Sequence, residues 1–166
     1  MIKKQNIRIA VIGGGHAGVE ASLAISRMGK PCYMITMSED SIGRMSCNPA
    51  IGGLAKGHLV REIDAMGGIM GRAADKCAIQ FKTLNKSKGR AVWSPRAQVD
   101  KIKYSGFIKN KIISDKNIKV INGEVVDICV DNNKVSGCVL ASGDKLKLDV
   151  LIITAGTFLD GKIHIG

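Results

Sequence analysis

Two stretches of this 166-residue chain carry residues fitted for chemistry: the glycines Gly13, Gly15 and Gly18, and the thiol of Cys47. The glycines have G-x-G-x-x-G spacing and follow the apolar run of Ile9, Val11 and Ile12, the pattern of a buried parallel strand. In such a turn Gly13 permits the tight bend. Gly15 leaves no side chain between the backbone and a pyrophosphate, and Gly18 lets the following helix lie close to the strand. The amides of the helix's first turn then point at the phosphates, where their partial positive charge favours an anion. This predicts a dinucleotide site.

Cys47 lies in a loop punctuated by Gly43, Pro49, Gly52, Gly53 and Gly57, just before a predicted helix. Backbone amides in such a place lower a thiol's pKa and enrich the nucleophilic thiolate, although spacing alone leaves an inert loop cysteine open. Asn48 and the amides of Gly52 and Gly53 either bind cofactor or substrate oxygens or simply shape the turn. A dinucleotide site usually places an acid about twenty positions past its glycines to grip the ribose. Here that region reads Thr36-Met37-Ser38-Glu39-Asp40, so Glu39 is either the ribose ligand or a solvated carboxylate. His16 and His164 have no cysteine or carboxylate at ligand spacing, His58 reads as a solvated surface histidine, and no metal site is expected.

Helices and strands must hold these groups. A helix from about Ala17 to Met28 turns Val19, Leu23 and, less cleanly, Ser26 to one face, and Gly29 follows as its cap. Tyr33 to Thr36 is the second strand, and Ser41 to Gly57 reads as a long loop. Leu59, Ile63 and Met66 recur at helical spacing until Gly67-Gly68 stops them. Ala78 to Leu84 alternates as a strand, Asn85 to Pro95 is a basic loop, and Arg96 to Ser114 reads as an amphipathic helix with Val99, Ile102, Phe107 and Ile108 inward. From residue 119 to about 148 short strands predict an antiparallel meander: Lys119 to Ile121, Val125 to Val130, Val135 to Ala141 and Lys145 to Leu148. Asn132-Asn133 and Ser142-Gly143-Asp144 supply its turns. Val150 to Thr154, closed by Ala155-Gly156, returns to the parallel sheet. The whole is an α/β Rossmann-like domain over residues 1–166.

Twenty-five Lys and Arg against fourteen Asp and Glu give a formal charge of +11, which points to a polyanionic partner unless it reflects a generally basic proteome. Between Lys76 and Lys111 ten bases face one acid, Asp100. Lys82, Lys86, Lys88, Arg90 and Arg96 are therefore candidates for RNA phosphates, with Trp93 among them either stacking or buried. The five cysteines form no C-x-x-C pair, no apolar run approaches a membrane span, and the N-terminal one is too short for a secretory segment. The chain reads as cytoplasmic with reduced thiols.

The glycine-rich start, Ser46-Cys47-Asn48-Pro49-Ala50-Ile51-Gly52-Gly53 and its continuation to Gly68, Arg96-Ala97-Gln98-Val99-Asp100, and Thr157 to Gly166 closely resemble the MnmG (GidA) family of bacterial tRNA-modifying flavoproteins. The resemblance runs from about Arg8 to Gly166. It implies an FAD-binding domain of the glutathione-reductase type with a β-meander inserted before the last parallel strand. It implies that Gly13, Gly14, Gly15, His16, Ala17 and Gly18 hold the FAD pyrophosphate, that the backbone at Val125 contacts the adenine, and that Ala155 and Gly156 belong to the cofactor site. Asn48, Gly52 and Gly53 are then expected at the flavin.

By the same resemblance the reaction adds a (carboxymethyl)aminomethyl-type group to C5 of the wobble uridine of tRNA. It uses FAD, NADH and methylenetetrahydrofolate, in a homodimer that works with the GTPase MnmE. Cys47 is implied as the catalytic thiol, adding to C6 of the uracil so that C5 becomes nucleophilic. Arg90 stands where many relatives have proline, and Trp93-Ser94-Pro95 occupies a variable stretch. The family's proteins continue past Gly166 into an NAD-binding insertion and a helical region. The expectation is thus an N-terminal portion, incomplete as a catalyst. A folate-dependent uridine methyltransferase, or a non-catalytic FAD- or RNA-binding fragment, are the competing readings.

Overall fold

In the computed structural model residues 7–46 and 48–156 are described. Strand β1 (Ile9–Ile12) lies between β10 (Val150–Ile153) and β2 (Cys32–Thr36), and β6 (Ile118–Asn122) pairs with β2 at the sheet's edge. All three pairings are parallel. Parallel strands are covered on both faces, so successive residues on one strand enter different cores. Val11 and Met34 point into a large core, while their neighbours Ala10 and Ile35 point into a smaller one with Cys138, Leu140 and Leu148.

The smaller core is roofed by the meander of β7 (Val125–Asp131), β8 (Lys134–Leu140) and β9 (Lys145–Lys147). Its first hairpin turns through Asn132 and Asn133, both at positive φ, as a two-residue turn between twisted strands requires. The meander thus sits between β6 and the last parallel strand, as expected. The stretch from Lys119 to Ile121 differs from expectation. It belongs to β6, because its alternate side chains pack on both faces of the parallel sheet and its backbone pairs with β2.

The large core is closed by helices α1 (His16–Arg27), α2 (Lys56–Ala65), α3 (Met70–Cys77) and α4 (Lys101–Ile113), and by a second antiparallel sheet. That sheet has the order β3 (Ala50–Gly52), β5 (Ser94–Val99), β4 (Ala78–Leu84). Helix α1 stops at Gly29, whose φ is +68°. Lys30 N–H donates to Ile25 O and Gly29 N–H to Ser26 O, which satisfies two terminal carbonyls. Ser26 turns inward to the Asp115 carboxylate, 2.8 Å away, and so fastens the helix to the turn that feeds β6.

Three further expectations are corrected. The stretch from Arg96 to Ser114 is not one helix: Arg96 to Val99 completes β5, and Asp100 caps α4 by accepting from the amides of Ile102 and Lys103, both at 3.0 Å. Val99 is accordingly buried on a strand, and Ile102 is 81% exposed instead of inward. On α2 Val60 is the buried residue and Ile63 is half-buried, while Leu59 and Met66 of the periodic reading are largely exposed. The loop from Ser41 to Gly57 contains β3, which gains its ladder partner β5 from more than forty residues downstream.

Candidate dinucleotide site

The site is built where β1 runs out. Gly13 takes φ +106°, and a Cβ on it would run into the carbonyl oxygen of Thr154. Its amide donates to Ile35 O at 2.8 Å, while Thr154 N–H and Oγ–H both donate to Ile12 O. The turn is thereby clamped between the ends of β2 and β10. A Cβ on Gly18 would overlap the carbonyl oxygen of Gly13, which is how closely α1 lies on the strand end. Above Gly15 nothing lies within 4 Å of an added Cβ. Gly14 is packed against Thr36 and its carbonyl accepts from Gly43 N–H, so the loop after β2 leans on the same turn.

Helix α1 begins with Gly15 as its cap, and no side chain there satisfies the first-turn amides. Among the described residues the amides of Gly15, His16 and Ala17 meet no backbone acceptor. These are the orphan donors of a helix start, directed to the open space over Gly15. The imidazole of His16 turns the other way, into the core, where its ring lies 5.7 Å from that of Tyr104. Burial, and secondarily the charge of Lys56, push its pKa below the usual histidine range and keep it neutral at pH 7. His16 is thus available to an anion through its backbone, not its ring.

The remaining cofactor candidates fall into two groups. Gly123 N–H donates to Thr36 O at 2.8 Å, the carbonyl next to the one that holds Gly13, and so brings the start of β7 at Val125 to the carboxyl end of the parallel sheet. Ligands of open α/β sheets bind at that end. Glu39 begins a single 3₁₀ turn, Glu39–Ser41, directly beyond β2. Asp40 is held instead by Lys109 at 2.6 Å, a hydrogen bond that lowers its pKa, which leaves Glu39 outside any ion pair among the described residues. Ala155 and Gly156 follow Thr154 and are exposed.

Asn48, Gly52 and Gly53 lie with the second sheet. Asn48 is exposed and its carbonyl accepts from Ala50 N–H. Gly52 passes so close to Pro95 that a Cβ would meet its carbonyl oxygen, and the Gly53 amide donates to that oxygen at 3.0 Å. The Gly53 amide is therefore committed within the fold. Lys56 donates to Ala50 O, and the charge it exerts on His16 links the start of α2 to the start of α1. Cys47 and His164 lie outside the described residues. The buried thiols differ from a reactive one: burial raises the pKa of Cys32 to about 11 and also raises those of Cys77 and Cys138.

Lys82, Lys86, Lys88 and Arg90 are exposed and Arg96 is half-buried, all on the β4–β5 hairpin and the two turns that join its strands. Trp93 is neither buried nor bare: it is 44% exposed, its Nε1 donates to Lys86 O, and the Arg90 guanidinium lies 5.8 Å from its ring. Sequence reasoning missed Glu20. Its Oε1 accepts from the amides of Ile69 and Met70, each at 2.8 Å, and caps α3 from the middle of α1. An acid on the apolar face of α1, four residues past His16, was the available signal. It also missed α3, whose apolar residues Met70, Ala73, Ala74 and Cys77 keep helical spacing.

Comparison with known proteins establishes the family. The profile of the family described as "Glucose inhibited division protein A" matches residues 8–166. The tRNA uridine 5-carboxymethylaminomethyl modification enzyme MnmG of Endomicrobium trichonymphae is 50% identical over 166 residues, 100% of this chain and 28% of that protein. Its counterpart from Aquifex aeolicus (strain VF5) is 53% identical over 158 residues, 95% of this chain and 26% of that protein. The structure of Aquifex aeolicus GidA in its form II crystal has a TM-score of 0.86 at 50% identity, covering 95% of this chain and 26% of that one. A GidA-related protein from Thermus thermophilus, 13% identical with a TM-score of 0.63 over 93% of this chain and 55% of its own, shares the fold. The chain spans about a quarter of the length of the MnmG relatives. On the profile match and on the identity along its whole length, the chain belongs to the glucose inhibited division protein A family.

Proposed function

We propose that this chain is the FAD-holding N-terminal portion of an enzyme that adds a (carboxymethyl)aminomethyl group to C5 of the wobble uridine of tRNA. The observation that carries the reading is the space over Gly15, bordered by unpaired first-turn amides in a chain of this family. A pyrophosphate fits it. The backbone from Gly13 to Gly18 would hold the diphosphate, Glu39 a ribose hydroxyl, and the backbone at Val125 the adenine. Ala155, Gly156, Asn48 and Gly52 would border the rest of the cofactor. FAD supplies two-electron redox chemistry when bound. NADH, methylenetetrahydrofolate, a homodimer and the GTPase MnmE complete the proposal for the whole protein, acting in the cytoplasm. Among the described residues no helix is long and apolar enough to cross a membrane.

Cys47 is proposed as the nucleophile. Its thiolate would add to C6 of the uracil and move the electron pair to C5, the activation that alkylation at C5 needs. Lys86, Lys88, Arg90 and Arg96 are proposed as phosphate contacts, which give affinity and salt dependence without sequence preference. The decisive experiment is a visible absorption spectrum of the purified chain titrated with FAD, alongside Gly15→Val. The expected result is flavin binding lost in the variant. Equal FAD affinity in both chains rules the pocket out.

A further inference from the structure

Strand β2 ends at Thr36, which has a glycine on either side. A Cβ on Gly14 would lie 2.8 Å from Thr36 Oγ1, and the Gly123 amide donates to Thr36 O at 2.8 Å. The next residue, Met37, therefore leaves the sheet between two positions that carry no side chain. Met34, Ile35 and Thr36 are buried, whereas Met37 is 71% exposed. A single exposed methionine is ordinary, and Met28 and Met66 are as bare at the C-caps of α1 and α2. Met37 differs in its place. It stands at the carboxyl end of the parallel sheet, beside the turn whose unpaired amides and open space over Gly15 suit a diphosphate. Gly123 leads from there to Val125, where β7 begins.

We infer that Met37 is a wall of the adenine slot, its thioether lying against the purine of a bound adenine dinucleotide. A purine presents flat apolar faces, and glycine on either side of the wall lets such a ring come close to the backbone. Methionine is unbranched and polarisable, so it adapts to the outline of an aromatic ring and packs favourably against it. The contact gives affinity without reading the edge of the base. Reading that edge falls to the backbone at Val125. The inference rests on the FAD reading and adds the side chain that the adenine meets once the diphosphate is seated.

The test is NMR of the chain with isotope-labelled methionine methyl groups, titrated with ADP, which carries the adenine and the diphosphate without the flavin. Met37→Leu assigns the Met37 signal among the seven methionines. Saturating ADP should move that signal upfield through the ring current of the base and leave the Met28 and Met66 signals in place. By calorimetry Met37→Ala should bind ADP and FAD more weakly by one common factor, roughly three- to tenfold, and inorganic pyrophosphate as the parent does. Its thermal midpoint should match the parent's, because the side chain is exposed. An unmoved Met37 signal at saturating ADP overturns the slot, as does parental ADP and FAD affinity in Met37→Ala or an equal loss for pyrophosphate. A parent chain that binds neither ADP nor FAD overturns it together with the FAD reading. The FAD reading fails separately, when ADP moves the Met37 signal and FAD does not bind.

Discussion

Glu20, in the second turn of α1, holds the amide of Met70 at 2.8 Å across fifty residues of sequence and caps α3 with the same oxygen that accepts from Ile69. The helix that starts at the glycine-rich turn is thereby joined to the helix that lies behind the second sheet. Helix α3 has no local side-chain cap, so the link replaces one. Glu20→Ala should cost about 1–3 kcal/mol in chemical denaturation, since it leaves two buried amides without an acceptor. A midpoint equal to the parent's shows that α3 needs no such cap.

Gly15 and Gly18 should respond differently to the same substitution. At Gly18 an alanine methyl meets the Gly13 carbonyl, so strand and helix must separate and both the thermal midpoint and FAD binding should fall. At Gly15, where φ is −69° and the space is open, Gly15→Ala should fold as well as the parent while FAD binding weakens. Thermal melts with and without FAD distinguish the two. An unstable Gly15→Ala chain removes the argument that this position is kept bare for a ligand.

Arg8 grips Asp149 with two parallel side-chain hydrogen bonds of 3.0 and 3.1 Å, and its amide adds a third. The side-chain bond from Arg8, then the backbone one, lowers the Asp149 pKa to about 2. A carboxylate whose folded pKa is depressed stabilises the fold above its unfolded pKa of about 4 and loses that contribution as pH falls toward 2. Arg8→Gln should therefore bring the Asp149 titration, read by NMR, back up toward the ordinary range, and flatten the acid limb of stability between those values. An Asp149 pKa that stays near 2 assigns the shift to another cause.

Cys47→Ser, made in a full-length protein, should keep bound flavin and tRNA and lose modification, because an alcohol has very little anion at neutral pH. Alkylation at neutral pH with mass mapping gives an independent reading: Cys47 should label before Cys32, Cys77 and Cys138, whose pKa values burial raises. Modification at the parental rate by the serine variant ends the nucleophile proposal. Loss of flavin in that variant makes the residue a pocket wall.

The sequence alone determined the elements whose signal is local. The strand-turn-helix from Ile9 to Arg27 was legible because a buried parallel strand needs a continuous apolar run and only glycine tolerates the geometry at Gly13 and Gly18. The bounds of β4 and the Asn132-Asn133 turn were legible for the same kind of reason. The family was legible in the long segment around Cys47.

The tertiary structure decided everything whose partner lies far away in the chain. Arg96 to Val99 has apolar residues that fit a helix as well as a strand, and only pairing with β3 and β4 on its two sides makes it β5. Residues 118–122 fit a meander or a parallel edge strand until β2 offers its backbone. Helix α3 is capped by an acid fifty residues earlier, and the loop after β2 leans on the glycine-rich turn through the bond from Gly43 N–H to the Gly14 carbonyl. Hydrogen-bond ladders and buried caps depend on which backbone arrives alongside, and hydrophobic periodicity carries no record of that choice.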